Sequence, residues 1–476
     1  MFQTIRNIFS IPDLRRRVLF TLFLLFVYRI GARIPTPGVD VAALQEFFDR
    51  NSGTIFGFID MMGGGNFRRL TIFALGIMPY ITSSIILQLL TVVWPYLEKL
   101  SKEGELGRRK ITQWTRYLTV LLAAVQSIGI AFALERPTGA TSKSFVTQPG
   151  MGFVLMTMIT LTTGTAFIMW LGEQISERGV GNGMSLIIFA GIVQGLPRAA
   201  KEVYDKVFIT KDWNPLSLVM LLAVMVAVVA FVVLVERAER RIPVQYAKRV
   251  VGRKVMGGQS THLPLRVNAG GVIPVIFASS ILTFPQTIGA VFMNKTTDPG
   301  SFAGQVSSVF AKLFEALKWG EPLYTLLFVT GIVFFCYFYV SIIFNPTEVA
   351  DNMRKYGGFI PGIRPGKNTA DYINRILTHI TFVGGIYLAL IAILPEWIIA
   401  GVHLHHLYGP VGRFFEDHFP LFILQGLNVS FYFGGTSLLI VIGVAMDTVN
   451  QVEAQLIMRH YDGFTPGSGR IRGRRG

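Results

Sequence analysis

The side chains best suited to bond-making chemistry are few in this chain. His403, His405 and His406 share one short stretch, and neutral imidazole is a common zinc ligand. No Cys, Asp or Glu stands beside them in ligand spacing, and surface histidines are the simpler reading. Asp447, with Asn450 and Glu453 close by, is the clearest ionisable group inside apolar sequence, where a carboxylate could relay protons or couple an ion. It lies toward one end of its segment, which favours a wetted helix end or a packing role. The single cysteine, Cys336, excludes a disulfide within the chain and a Cys-based metal site, and reads as a small buried hydrophobe. There is no Gly-x-Ser-x-Gly elbow, His-Glu-x-x-His or phosphate loop. The sequence therefore predicts no catalytic centre, no metal and no cofactor. Any work the chain does must draw energy from a partner.

The elements that would position these residues are membrane spans. The chain has 476 residues, 51% hydrophobic and only 15% charged, against about 25% charged in a soluble domain. The apolar residues come in blocks of roughly 15–25, long enough to cross a hydrocarbon core of about 30 Å. Ten spans are expected. The first five are Val18–Arg33, Ile72–Val93, Tyr117–Leu134, Gly152–Leu171 and a short one at Gly183–Leu196. The others are Leu216–Val235, Gly270–Val291, Leu323–Phe344, Ile376–Ile399 and Phe431–Val452. Arg15, Arg16 and Arg17 ahead of the run from Val18 resemble a signal peptide, but no small-x-small cleavage site follows, so an uncleaved first span is expected.

An even number of spans puts both ends on one face. That face carries about twice as many Lys and Arg as the other, so the positive-inside rule makes both termini cytoplasmic. The net charge of +16 is explained largely by that bias. Two cytoplasmic loops are richer than orientation requires. The sixth holds Arg237, Arg240, Arg241, Lys248, Arg249, Arg253, Lys254 and Arg266; the eighth holds Arg354, Lys355, Arg364, Lys367 and Arg375. They read either as topogenic charge or as a docking face for a large cytoplasmic partner, an RNA-rich one among the candidates. Thr54–Gly65 is apolar, ends in three glycines and is too short to span, which fits a re-entrant or interfacial segment. The tail from Thr465 is rich in Gly and Arg and is expected to be disordered.

Two pairs of segments repeat at an offset of five spans. Pro79–Ile86 in span 2 is similar to Pro274–Ile281 in span 7, and Gly183–Ile188 in span 5 to Gly435–Ile440 in span 10. Two five-span halves, the second inverted relative to the first, follow from that offset. The repeated segments combine small residues, which let helices approach, with β-branched apolar ones. Ile81 and Ile85 share one helix face. Four such helices facing a common axis would make an apolar constriction that closes by dewetting; ordinary helix packing is the plainer account of the same pattern.

Five motifs in series carry a family resemblance: Ala74–Ile81, Gly107–Lys110, Gly179–Ser185, Arg240–Pro243 and Ile360–Gly366. With them the chain resembles the SecY family, the central channel subunits of the bacterial Sec protein translocon, from Phe9 to the end of span 10. It departs at Met184, where the family often has Ile. The resemblance implies an all-α membrane fold of two inverted five-helix halves closing like a clamshell. They would be an N-terminal half over 1–200 and a C-terminal half over 201–460 with basic loops at about 236–268 and 345–375, then a basic tail over 461–476. Spans 2 and 7, with 3 and 8, would line a lateral gate to lipid. A pore ring would comprise Ile81, Ile85, Met184, Ile188, Ile276 and Ile440, with Ile273 a further candidate. A plug would lie at about 54–65, with Ile55, Phe56, Phe58, Ile59, Met61 and Met62. Arg240, Arg241, Lys248, Arg249, Arg253 and Arg364 would meet the SecA motor and the ribosome. The implied partners also include the small subunits SecE and SecG, unfolded preproteins with their signal sequences, and the lipid bilayer. The implied place is the cytoplasmic (inner) membrane of a bacterium, and no cofactor is implied. An inverted-repeat secondary transporter is the competing reading, weakened by the scarcity of ionisable groups at mid-span.

Overall fold

The computed structural model describes residues 11–50, 64–135, 145–209, 215–246, 249–251, 254–256, 260–292, 321–400 and 435–462. Each of the ten predicted spans coincides with a helix. The first half contains α1 (Pro12–Gly31), α2 (Val41–Arg50), α3 (Met78–Val93), α4 (Pro95–Lys102), α5 (Glu105–Glu135), α6 (Met151–Arg178) and α7 (Gly183–Tyr204). The second contains α8 (Pro215–Arg237), α9 (Ile273–Phe292), α10 (Pro322–Ile343), α11 (Pro346–Lys355), α12 (Lys367–Ala400) and α13 (Gly435–Asp462). The spans are α1, α3, α5–α10, α12 and α13. Among the described residues, α5, α6, α10, α12 and α13 are by themselves long and apolar enough to cross a membrane. Proline opens several helices, at Pro12, Pro79, Pro95, Pro322 and Pro346, where its missing N–H costs nothing. At Pro95 the chain turns by 100° between α3 and α4.

The helices are sorted for lipid rather than water. On α1 the exposed stripe is Leu19, Leu22, Phe23, Phe26 and Ile30, while the buried face includes Thr21, Tyr28 and Gly31. On α12 the exposed residues are Phe382, Val383, Ile386 and Leu390, and Thr381 is buried. Polar groups turn inward and apolar ones outward because the surrounding solvent is hydrocarbon. Some buried hydroxyls bond back to their own helix, as Ser83 does to the Pro79 carbonyl at 2.7 Å and Ser127 to that of Ala123 at 2.6 Å.

Packing repeats at the offset seen in the sequence. In the first half α3 packs on α5, α5 on α6, α6 on α7 and α1 on α7. Five spans on, α9 packs on α10, α10 on α12, α12 on α13 and α8 on α13. The α1–α6 contact has its counterpart in the Phe231–Tyr387 ring pair between α8 and α12. The halves meet along two edges, α3 and α5 against α9, and α7 against α13.

The two basic loops are not irregular. Strands β1 (Glu239–Tyr246) and β4 (Ser260–Arg266) form an antiparallel hairpin, with a smaller hairpin of β2 (Arg249–Val251) and β3 (Lys254–Met256) between them. Strand β5 (Gly358–Phe359), from the other loop, pairs with β1. Close helix approaches depend on glycine. A Cβ at Gly164 of α6 would collide with the Ile72 carbonyl, whereas one at Gly152 would meet nothing within 4 Å. Gly164→Val is expected to destabilise the protein by about 1–3 kcal/mol. Thermal unfolding in detergent should show a lower Tm for Gly164→Val and an unchanged one for Gly152→Val.

Candidate functional site

The seven predicted ring residues converge. Ile81 and Ile85 of α3, Ile188 of α7, Ile276 of α9 and Ile440 of α13 are buried members of one apolar cluster, and Met184 and Ile273 pack against it partly buried. Ile85 and Ile440 are fully enclosed, so their side chains pack against protein; Met184 and Ile273 are the ring members with free surface. The cluster spans both halves; the four repeated segments contribute to it together with α1, α6, α8, α10 and α12. The periodicity that puts Ile81 and Ile85 on one face of α3 is the local reason they arrive together.

The contact edges that flank this cluster differ. At the α3/α9 edge Ser280 Oγ lies 3.9 Å from Met78 Sδ, a weak sulfur contact. At the α7/α13 edge the Gly181 N–H donates to Gln451 Oε1 at 3.1 Å. Gly181 holds φ +89, a conformation open to glycine and strained for other residues. Next to it the Val180 N–H donates to Thr21 Oγ1 at 3.0 Å, so the 179–182 turn is tied to α1 as well as to α13. Gly183 brings α7 against α6, since a Cβ there would strike the Gly172 carbonyl. The sequence picked out this glycine motif but gave no sign of Gln451 or Thr21, whose partners lie far away along the chain.

Arg240 and Arg241 are exposed on β1, and Arg241 pairs with Glu239 at 2.7 Å. Ile242 and Val244 alternate with them and are buried; Ile242 packs with Leu265, Ile360 and Ile373. Arg364 is exposed just beyond β5, its carbonyl accepting from Thr369 Oγ1 at 2.9 Å. The two basic loops thus form one sheet-based platform with a single small core. Arg249 lies on β2, while Lys248 and Arg253 fall outside the described residues. The same holds for Ile55, Phe56, Phe58, Ile59, Met61 and Met62 and for His403, His405 and His406.

Asp447 does not sit alone at mid-span. Its carboxylate is half exposed, 3.9 Å from Arg266 Nη1 at the end of β4. Nearby Asn268 Nδ2 donates to Glu236 Oε1 at 2.6 Å. These carboxylates lie at the platform end of the helices, where Arg and amide donors meet them. Among the described residues no group of His, Cys, Asp and Glu could hold a metal ion. Cys336 is buried and free.

The family model for SecY matches residues 71–449. The protein translocase subunit SecY of Escherichia coli K12 is 47% identical over 461 residues, covering 97% of this chain and 95% of that protein. The chain belongs to the SecY family. Its SecY relative from Aquifex aeolicus is 42% identical over 98% of this chain and 99% of its own length. The one from Streptomyces coelicolor is 45% identical over 98% and 100%. The fold is that of a solved protein-conducting channel (TM-score 0.60, 16% identity, 94% of each chain). Sec61 in a canine ribosome–channel complex is similar at TM-score 0.55, 15% identity and 94% of each chain. Helices α3 and α9 are thus spans 2 and 7 of a SecY fold, in direct contact.

That contact can be checked by crosslinking. In a Cys336→Ala background, Met78→Cys with Ser280→Cys should crosslink in high yield with a short bifunctional thiol reagent. Leu22→Cys, on the lipid-facing stripe of α1, should give no product with Ser280→Cys. Failure of the first pair would show that α3 and α9 are apart in the membrane.

Proposed function

We propose that this chain is the protein-conducting channel of a bacterial Sec translocon. It passes unfolded secretory polypeptides across the cytoplasmic membrane and releases apolar segments sideways into lipid. The observation that carries the reading is an apolar core continuous across both halves, to which all four repeated segments contribute, in a chain whose relatives are named protein translocase subunits. The channel sits in the inner membrane with both termini cytoplasmic, as the Lys and Arg bias requires. Its working halves are 1–200 and 201–460, with a basic tail over 461–476.

Ile81, Ile85, Met184, Ile188, Ile273, Ile276 and Ile440 form the pore ring. An apolar ring excludes ions by dewetting, and it offers no fixed polar group that would hold one substrate sequence. Opening along α3/α9 exposes a passing segment to hydrocarbon, where Leu or Ile partitions favourably and a central charge costs about 2.5–3.5 kcal/mol. Each segment is thereby sorted by its own hydrophobicity. The apolar stretch with Ile55, Phe56, Phe58, Ile59, Met61 and Met62 serves as the plug. SecE and SecG are its small membrane partners. Its substrates are preproteins presented by their signal sequences.

The basic platform docks the energy source, either the SecA motor or a ribosome. Arg240, Arg241, Lys248, Arg249, Arg253 and Arg364 provide the contacts. Joining both loops through β5 places Arg364 and Arg240 on one rigid body, so a partner pushing on one loop also loads the other. Because β1 follows α8 directly and the platform chain continues through Val267–Val272 into α9, force on the platform reaches the α3/α9 edge through covalent structure.

The test is reconstitution in vesicles with SecE, SecG and SecA, following ATP-dependent protease protection of a secretory precursor. Protection is expected with the unaltered chain and should fall about tenfold with Arg364→Glu, the scale of one charged contact worth roughly 1.4 kcal/mol. Absence of protection with the unaltered chain, together with ion-coupled solute uptake, would overturn the channel reading. In the same vesicles Ile276→Asn should raise the resting ion leak severalfold, measured as dissipation of an imposed potassium gradient, while Phe382→Asn on the lipid face should not.

A further inference from the structure

The chain leaves the platform for α9 through Val267–Val272, which contains the pair Gly270 and Gly271. Two adjacent glycines make a poor lever, because their backbone bends freely under load. Gly271 holds φ +60 and carries the turn that opens α9. A covalent link through this joint fixes the distance between platform and helix but not their relative orientation.

The joint is nevertheless closely held. The Val267 N–H donates to the Ala238 carbonyl at 3.0 Å, closing the foot of the β1/β4 hairpin. A Cβ on Gly384 of α12 would collide with the Val267 carbonyl, and one on Gly443 of α13 with the Val272 side chain. Between these contacts lies Asn268, which is 5% exposed. Its Nδ2 carries two hydrogens, and both are used. One bond runs at 2.6 Å to Glu236 Oε1 in the last turn of α8, the other at 3.1 Å to the Gly271 carbonyl. A carboxylate and a carbonyl both accept, so the amide nitrogen, and not its oxygen, faces them. One side chain thereby joins the helix that enters the platform to the turn that leaves it, across the glycine pair. The Arg266–Asp447 pair links β4 to α13 nearby, but at 3.9 Å with both side chains more than half exposed it contributes little. The bond from Asn268 to Glu236 is short, charge-assisted and partly shielded from water, so it is the stronger link.

We propose that Asn268 is the positioning residue through which the platform moves α9. With both of its bonds made, the end of α8, the foot of the hairpin and the start of α9 turn as one body. Without them the glycine joint absorbs the movement and α9 stays against α3. The inference rests on the reading of the platform as the motor's docking site and of α3/α9 as the edge that opens.

The test uses the full chain carrying Cys336→Ala, Met78→Cys and Ser280→Cys, reconstituted with its small membrane subunits. The yield of the α3/α9 crosslink is measured with and without SecA and a non-hydrolysable ATP analogue, and SecA binding is titrated in parallel. In this chain the yield should fall severalfold when the motor docks. Asn268→Ala should hold the yield at its resting value while the SecA concentration for half-maximal binding stays the same, since the docking arginines are untouched. Glu236→Ala removes only the bond to α8; it should behave likewise, and it serves should Asn268→Ala not fold. Glu236→Gln, whose amide oxygen still accepts from Asn268, should restore the fall. An equal fall in Asn268→Ala and Glu236→Ala overturns the proposal and leaves the docking reading intact. Weakened SecA binding in both variants overturns it too, since the residues would then only support the platform's structure. SecA binding with no fall in the parent chain overturns the proposal together with the opening of α3/α9 on which it rests.

Discussion

The structure depends on an apolar seam between two halves that are each well packed on their own. In water such a seam would be held shut by the hydrophobic effect, because parting it would expose Ile81, Ile85, Ile276 and their neighbours to solvent. In a bilayer the penalty is smaller along any edge where lipid tails replace the lost contacts, since hydrocarbon is as apolar as the side chains. Association along α3/α9 is then left to van der Waals fit and weak contacts such as Ser280 to Met78. The opposite edge is different. There the 179–182 turn is hydrogen-bonded to Gln451 on one side and to Thr21 on the other, and it follows directly on α6. The Gly181–Gln451 bond is exposed, so water can replace it, whereas the Val180–Thr21 bond within the first half is buried and costs more to break. The two edges are equivalent by the repeat but differ in chemistry, with a weak sulfur contact at α3/α9 and an amide hydrogen bond at α7/α13.

This inequality also shapes what the ring can do. An apolar constriction seals by refusing water, and refusal needs only that no polar group point inward. Ile85 and Ile440 are fully enclosed, and Ile81, Ile188 and Ile276 nearly so, so no polar group lies among these five side chains. Met184 has three flexible torsions where its neighbours are β-branched, and its sulfur packs close against Gly172 of α6. The departure at Met184 keeps the position apolar.

Much of this was legible in the sequence because membrane helices announce themselves by length and composition. All ten spans were placed within a few residues at most ends. The larger misses have one cause: amphipathic extensions beyond the hydrocarbon are ordinary charged helix and carry no apolar signal. So α5 begins at Glu105 and not near Tyr117, and α12 at Lys367 and not near Ile376. Span 2 erred the other way, since the chain runs through turns, with Gly76 at φ +57, until α3 begins at Met78 although 72–77 is apolar. The meeting of the four repeated segments in one apolar cluster was legible because the repeat supplied a second copy of each. The other helices that complete that cluster were not, because contacts between distant parts of the chain leave no local periodicity.

The platform is the instructive case. Read as charge, 236–268 is a basic loop; read for alternation, Arg241-Ile242-Pro243-Val244-Gln245 is a strand with one apolar face. What no local pattern could supply is β5, two residues from a different loop whose pairing with β1 makes one body of two. Its register sets Gln245 opposite Phe359 and Tyr246 opposite Gly358, and Gly358 is buried with Tyr246 packed within 3.0 Å of its Cβ position. A side chain larger than hydrogen there would push the loops apart. Two residues of pairing are too short to hold by hydrogen bonds alone, so the junction leans on the shared core of Ile242, Leu265, Ile360 and Ile373, contributed by both loops and by α12. The exposed arginines are therefore positioned by buried isoleucine and leucine, because the residues alternating with them face the shared core.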